Sequence, residues 1–216
     1  PNGAMVSFEI DESVQTARIQ CGASVFDIRT MPADEFPVIR PIDQEQFIEL
    51  PLHALVQAIH QTAFAAAGYE TNNVLGGVFF KLTADSLEMA ATDGSRLARC
   101  QQPLTGHNIQ GDVTAIIPVK ALQELVKLVG SSVKDDVQVR LAIAEGQISF
   151  RTETVYVISR LLDGQYPQYQ QLIPAENKIK AYANRTALIS SLERTAVMAN
   201  ERTNVVKLSF EGGNLS

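Results

Sequence analysis

Asp93, Ser95 and Arg96 surround one glycine in the stretch ATDGSRLARC, and their side chains are of types that catalyse reactions. A serine becomes a nucleophile when a base removes its proton and a third group orients that base. The chain has three histidines and no Gly-x-Ser-x-Gly pattern, so such a set is not indicated. Asp-Gly is a strong signal for a two-residue hairpin turn, because glycine accepts the positive φ that the turn requires. We predict a turn, with a weak hydrolase as the alternative.

His53 and His60 are seven residues apart, so they lie on one side of a predicted helix but too far apart along its axis to bind one metal ion easily. Cys21 and Cys100 are distant in sequence and form no CxxC pair, which indicates a reducing compartment. We predict no metal and no cofactor, and we expect both histidines to be solvent-exposed surface residues.

The composition is that of a globular protein, with 45% hydrophobic and 19% charged residues among 216. The sequence contains no run of about 18 to 20 apolar residues and no basic-then-apolar leader, so we expect a cytoplasmic protein without a membrane partner. A net charge of -6 argues against a generally basic nucleic-acid-binding coat, but it leaves room for a local basic surface.

Short alternating or β-branched runs separated by turn residues predict an antiparallel meander. The runs are 24–30, 75–82, 86–92, 96–102, 112–118, 137–144, 147–152 and 154–162. Helical periodicity predicts three amphipathic helices, at 51–67, 118–130 and 184–199, with Pro118 near the first position of the second helix and Asn184 as the N-cap of the third. The side chains predicted to be buried in them are Leu52, Leu55, Val56, Ile59 and Ala63, then Val119, Leu122, Leu125, Val126 and Val129, then Leu188, Ile189, Leu192 and Ala196.

The chain repeats itself weakly. Leu55-Val56, Ile59 and Thr62-Ala63 recur about 130 residues later as Leu188-Ile189, Leu192 and Thr195-Ala196. The repeat predicts the end of one unit, a complete second unit and the start of a third, so we interpret the sequence as part of a longer chain.

Four motifs occur in one order: ATDGSRLA, IIPVKALQELVKLV, SRLLDGQYPQYQQLIP and ERTNVVKLSF. With them the chain resembles the bacterial DNA polymerase III β subunit, the replicative sliding clamp. The resemblance implies an α+β DNA clamp fold of repeated domains, each with two helices and about eight antiparallel strands. It also implies that residues 1–42 are the C-terminal part of the first domain, 43–174 the complete second domain, and 175–216 the truncated start of the third.

The implied function is non-catalytic. Members of this family form a homodimeric ring round double-stranded DNA, irrespective of its sequence, and give polymerase its processivity. Partners bind through linear peptides, and they are the polymerase III catalytic subunit, the clamp loader and repair polymerases. We expect the 216-residue chain by itself to be a monomer. The alternative from another class is a stand-alone β-rich interaction module without a role on DNA.

A sliding clamp needs a modest cationic lining that meets phosphates without reading bases. Lys120 and Lys127 are two helical turns apart and share one face. We predict that this face meets DNA; the alternative is an ordinary solvated helix face. The residues assigned to the DNA-facing surface are His53, Gln57, His60, Asn72, Asn73, Lys120 and Lys127. The loop of Asn72 and Asn73 lacks the tyrosines that some family members present to DNA.

The resemblance also implies a hydrophobic pocket for partner peptides. The matching positions are Leu75, Thr92, Gly94, Ser95, Arg96, Leu97, Pro167, Gln171 and Leu172. Apolar members accept leucine or phenylalanine anchors, while Arg96 and the backbone fix the course of the peptide. Ser95 stands where a histidine is frequent and Gln171 where an arginine is, so the polar selectivity is expected to differ. For Leu97 the alternative is an ordinary core leucine.

Overall fold

The computed structural model describes residues 3–37, 42, 47–68, 73–104, 111–130, 133–134, 136–177, 179–198, 205–211 and 213–215. The chain divides into two compact units, residues 1–166 and 167–216. The division into three domains at residues 42/43 and 174/175 stays a prediction.

The described part of the first unit contains eleven strands and two α-helices. In chain order they are β1 (Ser7–Asp11), β2 (Thr16–Cys21), β3 (Ser24–Arg29), β4 (Ile48–Pro51), α1 (Leu52–Thr62), β5 (Gly77–Leu82), β6 (Ser86–Thr92), β7 (Leu97–Pro103), β8 (Val113–Pro118), α2 (Val119–Val129), β9 (Gln138–Ala144), β10 (Gln147–Arg151) and β11 (Tyr156–Arg160). They form sheets of order β1-β2-β3, β7-β6-β5-β8 and β11-β10-β9-β4, and these strands pair antiparallel throughout. The predicted α+β class and antiparallel meander are confirmed.

One hydrophobic core joins α1 and α2 to the two four-stranded sheets. The buried stripe of α1 is the predicted one, because residues three and four apart fall on one side of a helix. In α2 the buried side chains are Val119, Leu122, Leu125 and Val129, while Val126 is half-buried. The two helices contact each other.

The helix α1 ends earlier than predicted. It ends at Thr62 and not at residue 67; the Thr62 hydroxyl donates to the Ala58 carbonyl at 2.7 Å, and a 3-10 turn, Ala63–Ala65, follows. The error arises at the helix terminus, where hydrophobic periodicity alone gives no stop signal. Pro118 is the N-cap residue of α2, with an extended ψ of 130°, and so stands next to the first helical position as predicted.

The sheet β7-β6-β5-β8 has a second covered face. Because side chains alternate along a strand, Val78, Phe80 and Leu82 face the core while Phe79 faces the other way. The segment after β11 crosses this outer face: the Leu162 N–H donates to the Ile116 carbonyl at 2.9 Å, and the Tyr166 ring packs on Phe79 with ring centroids 5.6 Å apart. The outer face is therefore apolar near the end where β5 begins.

The second unit contains a 3-10 helix (Tyr169–Leu172), α3 (Arg185–Val197), and a ribbon of β12 (Phe210–Glu211) and β13 (Asn214–Leu215) within its described residues. Asn184 is the N-cap of α3, as predicted, and its side chain accepts from the Ala187 N–H at 3.0 Å. The predicted burial in α3 is wrong: Ile189 and Ala196 are exposed, and Leu188 and Leu192 are half-buried. The described elements of this unit include only two-residue strands, which offer no sheet face to cover the helix.

Candidate functional site

The loop between β6 and β7 is organised by the Asp93 carboxylate. The strands pair as far as Thr92 and Leu97, so four residues form the loop and the predicted two-residue turn is wrong. Asp93 Oδ1 accepts from the Ser95 N–H at 2.9 Å, the Ser95 hydroxyl at 2.7 Å and the Arg96 N–H at 3.0 Å, while Oδ2 accepts from Arg96 Nε at 2.9 Å. Gly94 supplies a φ of +93°, which residues with a Cβ rarely adopt. Asp93 therefore shapes the loop.

These hydrogen bonds, first that from the Ser95 hydroxyl and then that from its N–H, hold the pKa of the Asp93 carboxyl far below its usual range. A base with such a low pKa removes a proton poorly at neutral pH. Since the pKa is depressed in the folded state, the loop keeps this stabilisation above about pH 4 and loses it only as the pH falls through the folded-state pKa. The arrangement argues against Ser95 as a nucleophile and therefore against the hydrolase alternative.

Tyr166 joins this loop to the start of β5. The Thr92 N–H donates to the Tyr166 hydroxyl at 3.1 Å, and that hydroxyl donates to the Gly77 carbonyl at 3.4 Å. Burial raises the pKa of Tyr166, more than the bond from Thr92 lowers it, so the phenol is neutral and able to do both. The Thr92 hydroxyl in turn donates to the Arg96 carbonyl at 2.7 Å. Tyr166 was not predicted as a site residue. Its only signal in the sequence is that an aromatic side chain stands next to the predicted pocket residue Pro167.

Leu97 lies on the outer face of the sheet. Its neighbour Ala98 packs against the core and Cys100 is buried, so the alternation of the strand directs Leu97, Arg99 and Gln101 outward. Leu97 is half-buried and is not among the core residues. This orientation argues against the core alternative.

The predicted pocket residues of the first unit gather at one end of this sheet. Thr92 ends β6, Leu97 begins β7, and Leu75 lies in the 3-10 turn Val74–Gly76 just before β5. The Leu75 N–H donates to Asn73 Oδ1 at 2.9 Å, and the Leu75 carbonyl accepts from Ala67 N–H at 2.8 Å. Hydrogen bonds at its N–H and at its carbonyl thus hold the backbone of the half-buried Leu75.

The remaining predicted pocket residues belong to the second unit. The Pro167 carbonyl accepts from the Tyr169 N–H at 2.7 Å, and Gln171 Nε2 donates to Gln168 Oε1 at 2.6 Å. The Leu172 side chain is 70% exposed. That Pro167, Gln171 and Leu172 share a site with the first-unit residues stays a prediction.

The polar faces of α1 and α2 carry the predicted DNA-facing residues. Gln57, His60 and Lys120 are exposed. Lys127 is also exposed, but its Nζ lies 2.7 Å from Glu124 Oε1. The helix α1 contains no acidic residue and no lysine or arginine.

His53 is not the solvent-exposed surface residue that the sequence predicts. It is half-buried, and its Nδ1 is inaccessible to solvent and has no hydrogen-bond partner in the described part of the chain. Asn73 is exposed and caps the 3-10 turn through the bond to Leu75. Asn72 lies outside the described residues.

Within the described residues, no three His, Cys, Asp or Glu side chains are grouped to hold a metal ion. No helix in this part of the chain is long and apolar enough to cross a membrane.

Tyr166→Phe is expected to lower the free energy of unfolding by about 1 kcal/mol, because it leaves the Thr92 N–H without its acceptor while the ring can still pack on Phe79. Urea unfolding measures this difference. Tyr182→Phe is the control, since the Tyr182 side chain is 93% exposed, and it should change nothing. Equal stability of both variants and the wild type would show that the bridge is unimportant.

Comparison with known proteins identifies relatives of this chain in sequence and in fold. A family model described as DNA polymerase III beta subunit, central domain, matches residues 49–168. The beta sliding clamp of Synechococcus elongatus is 34% identical over 214 residues, covering 99% of this chain and 56% of that protein, and that of Bacillus subtilis is 36% identical over 211 residues, covering 95% and 53%. The crystal structure of the Pseudomonas aeruginosa DnaN sliding clamp bound to griselimycin matches with a TM-score of 0.82 at 26% identity, covering 100% of this chain and 57% of that one. The chain thus spans about half the length of these relatives. Since the family model covers more than half of its residues, the chain belongs to the DNA polymerase III beta subunit family, that of the beta sliding clamps.

Proposed function

We propose that the chain is part of a sliding clamp that encircles double-stranded DNA without reading its sequence and tethers polymerase III during replication. The observation that carries the proposal is the family match over residues 49–168, together with two adjoining helices whose polar faces present no carboxylate except Glu124. The clamp acts as a non-catalytic processivity factor in the bacterial cytoplasm. The homodimeric ring, and a monomeric state of the 216-residue chain by itself, belong to the same proposal.

The polar faces of α1 and α2 form the DNA-facing surface. Lys120 is exposed, and no ion pair involves it among the described residues, so its charge is available to phosphates. Lys127 shares its charge with Glu124 at 2.7 Å, and the polar side chains of α1 carry no permanent charge. A surface with so few cations contacts DNA weakly, which suits a protein that holds DNA by enclosure and slides along it.

Lys120→Gln is expected to weaken contact with a short duplex about twofold to fivefold and to reduce the salt slope by about one. Glu124→Gln is expected to act in the opposite direction, because it removes a carboxylate that would repel the phosphates and that lies 2.7 Å from the Lys127 ammonium. NMR titration of the 15N-labelled chain at low salt detects such weak contacts. Shifts confined to amides outside α1 and α2, or equal affinities of the two variants, would refute this surface.

The end of the sheet β7-β6-β5-β8 is the peptide-binding site. Leu75 and Leu97 supply apolar surface, Thr92, Gly94, Ser95 and Arg96 form the loop beside them, and Pro167, Gln171 and Leu172 complete the set by resemblance. Leu97 supports this role because it is an apolar side chain on the outer face, next to a loop fixed by Asp93. Partners are the polymerase III catalytic subunit, the clamp loader and repair polymerases, each through a linear peptide.

A further inference from the structure

Phe64 is an exposed aromatic side chain directly after the DNA-facing helix α1. It lies in the 3-10 turn Ala63–Ala65, and both alanines of that turn are buried. Their burial directs Phe64 outward, where 59% of it is exposed. Its position therefore contributes little to the core and calls for another explanation.

The neighbour of this ring is Arg96 of the β6–β7 loop. Arg96 Cζ lies 5.9 Å from the centroid of the Phe64 ring, a distance at which the ring attracts a cation. Arg96 Nε is bound to Asp93 Oδ2 at 2.9 Å. The guanidinium is thus held by a carboxylate at one nitrogen and by an aromatic ring near its central carbon, although the Arg96 side chain is 57% exposed.

These two contacts, one within the β6–β7 loop and one from the turn after α1, restrict the orientation of the Arg96 side chain. Arginine has five N–H donors, and the bond to Asp93 uses the one on Nε. Within the described residues no acceptor is bonded to Nη1 or Nη2, so four donors stay available in a set direction. Planar guanidinium donors suit carbonyl and carboxylate oxygens.

We propose that Phe64 is a positioning residue of the peptide-binding site: its ring holds Arg96 so that the Nη donors meet a backbone carbonyl or side-chain carboxylate of the bound peptide. This inference rests on the proposed function of the site. A side chain oriented before binding loses less conformational entropy on binding, so the ring increases affinity without touching the peptide. The contact between Phe64 and Arg96 also links the end of α1 to the β6–β7 loop.

The test is a double-mutant cycle on the 216-residue chain. The probe is a fluorescent pentapeptide that begins with glutamine and ends with Leu-Phe, measured by anisotropy. Phe64→Leu is expected to weaken binding about threefold to fivefold, whereas Phe64→Tyr and Phe64→Trp, which keep an aromatic face, should stay within about twofold of the wild type. In an Arg96→Gln background, Phe64→Leu should cause no further loss.

A second readout needs no peptide. The 15N and 1H resonances of Arg96 Nε are expected to shift in Phe64→Leu and to return towards the wild-type position in Phe64→Tyr, with the melting temperature nearly unchanged. Each of two results overturns the inference: unchanged affinity in Phe64→Leu, or an equal loss with and without Arg96, which would mean that Phe64 contacts the peptide itself. If the wild-type chain does not bind the peptide at all, the proposed binding site itself is wrong. If the wild type binds and only the Phe64 variants behave otherwise than expected, the inference about Phe64 alone is wrong, so the two failures are distinguishable.

Discussion

Leu97→Asp is expected to weaken binding of the pentapeptide that begins with glutamine and ends with Leu-Phe at least about 30-fold. The new carboxylate would lose its water against an apolar anchor of the peptide and gain no partner in return. The fold should survive, since Leu97 is half-buried and shares the outer face of β7 with Arg99 and Gln101. Anisotropy titration and thermal unfolding of one variant measure both quantities.

Gln101→Asp is the matched control. Gln101 is exposed and lies on the same face of the same strand, so the variant adds the same acidic group away from the loop. We expect its affinity to stay within about twofold of the wild type. Intact peptide binding in Leu97→Asp would remove Leu97 from the site. A sharp fall in its melting temperature, by contrast, would show that the side chain supports the core, with an expected cost of about 3 kcal/mol or more.

Much of the fold was predictable because its elements bury one face each. The alternation in β5 to β11 and the helical stripes of α1 and α2 specify which residues face the core. The strands β1, β2 and β4 were missed. β1 and β2 carry Phe8, Ile10 and Ile19 between charged or polar neighbours, and β4 has only four residues. The alternation in β1 and β2 was readable, whereas a four-residue strand that ends in proline gives little signal.

The site was predictable as a set of positions but not as an arrangement. The Asp-Gly pair indicated a turn, yet the loop is four residues long because Asp93 accepts three hydrogen bonds through Oδ1 and one through Oδ2. The outward direction of Leu97 follows from the strand register, which sequence alone left open. Tyr166 is 74 residues away in sequence from Thr92, to which it is hydrogen-bonded, and Phe64 reaches Arg96 from the turn after α1. Local sequence patterns do not encode such contacts.

The outer face of the sheet also depends on one glycine. Gly77 has an ordinary φ of -115°, so its backbone conformation does not require glycine. Space does: a Cβ there would lie 2.7 Å from Ile116 Cγ2, 2.8 Å from Leu162 Cδ1 and 3.1 Å from the Ile117 carbonyl oxygen. Leu162 begins the segment that carries Tyr166 across the sheet, and its N–H is bonded to Ile116. A side chain at Gly77 would therefore displace the segment that carries Tyr166 to the β6–β7 loop.

Gly77→Val is expected to lower the free energy of unfolding by about 3 kcal/mol, because two packed side chains and a backbone carbonyl must move. Urea unfolding measures the change, and the Thr92 amide should lose protection from hydrogen exchange as Tyr166 withdraws. Gly94→Ala is the contrasting variant: nothing lies within 4 Å of a Cβ there, and only the φ of +93° opposes it, so the expected cost is about 1 kcal/mol with Thr92 still protected. If Gly77→Val were no less stable than Gly94→Ala, the close packing of Leu162 on β5 would not be what holds this face together. Loss of Thr92 protection in Gly77→Val alone would instead show that the β6–β7 loop depends on the segment after β11, because the two glycines lie at the same end of the sheet and differ in what a side chain would displace.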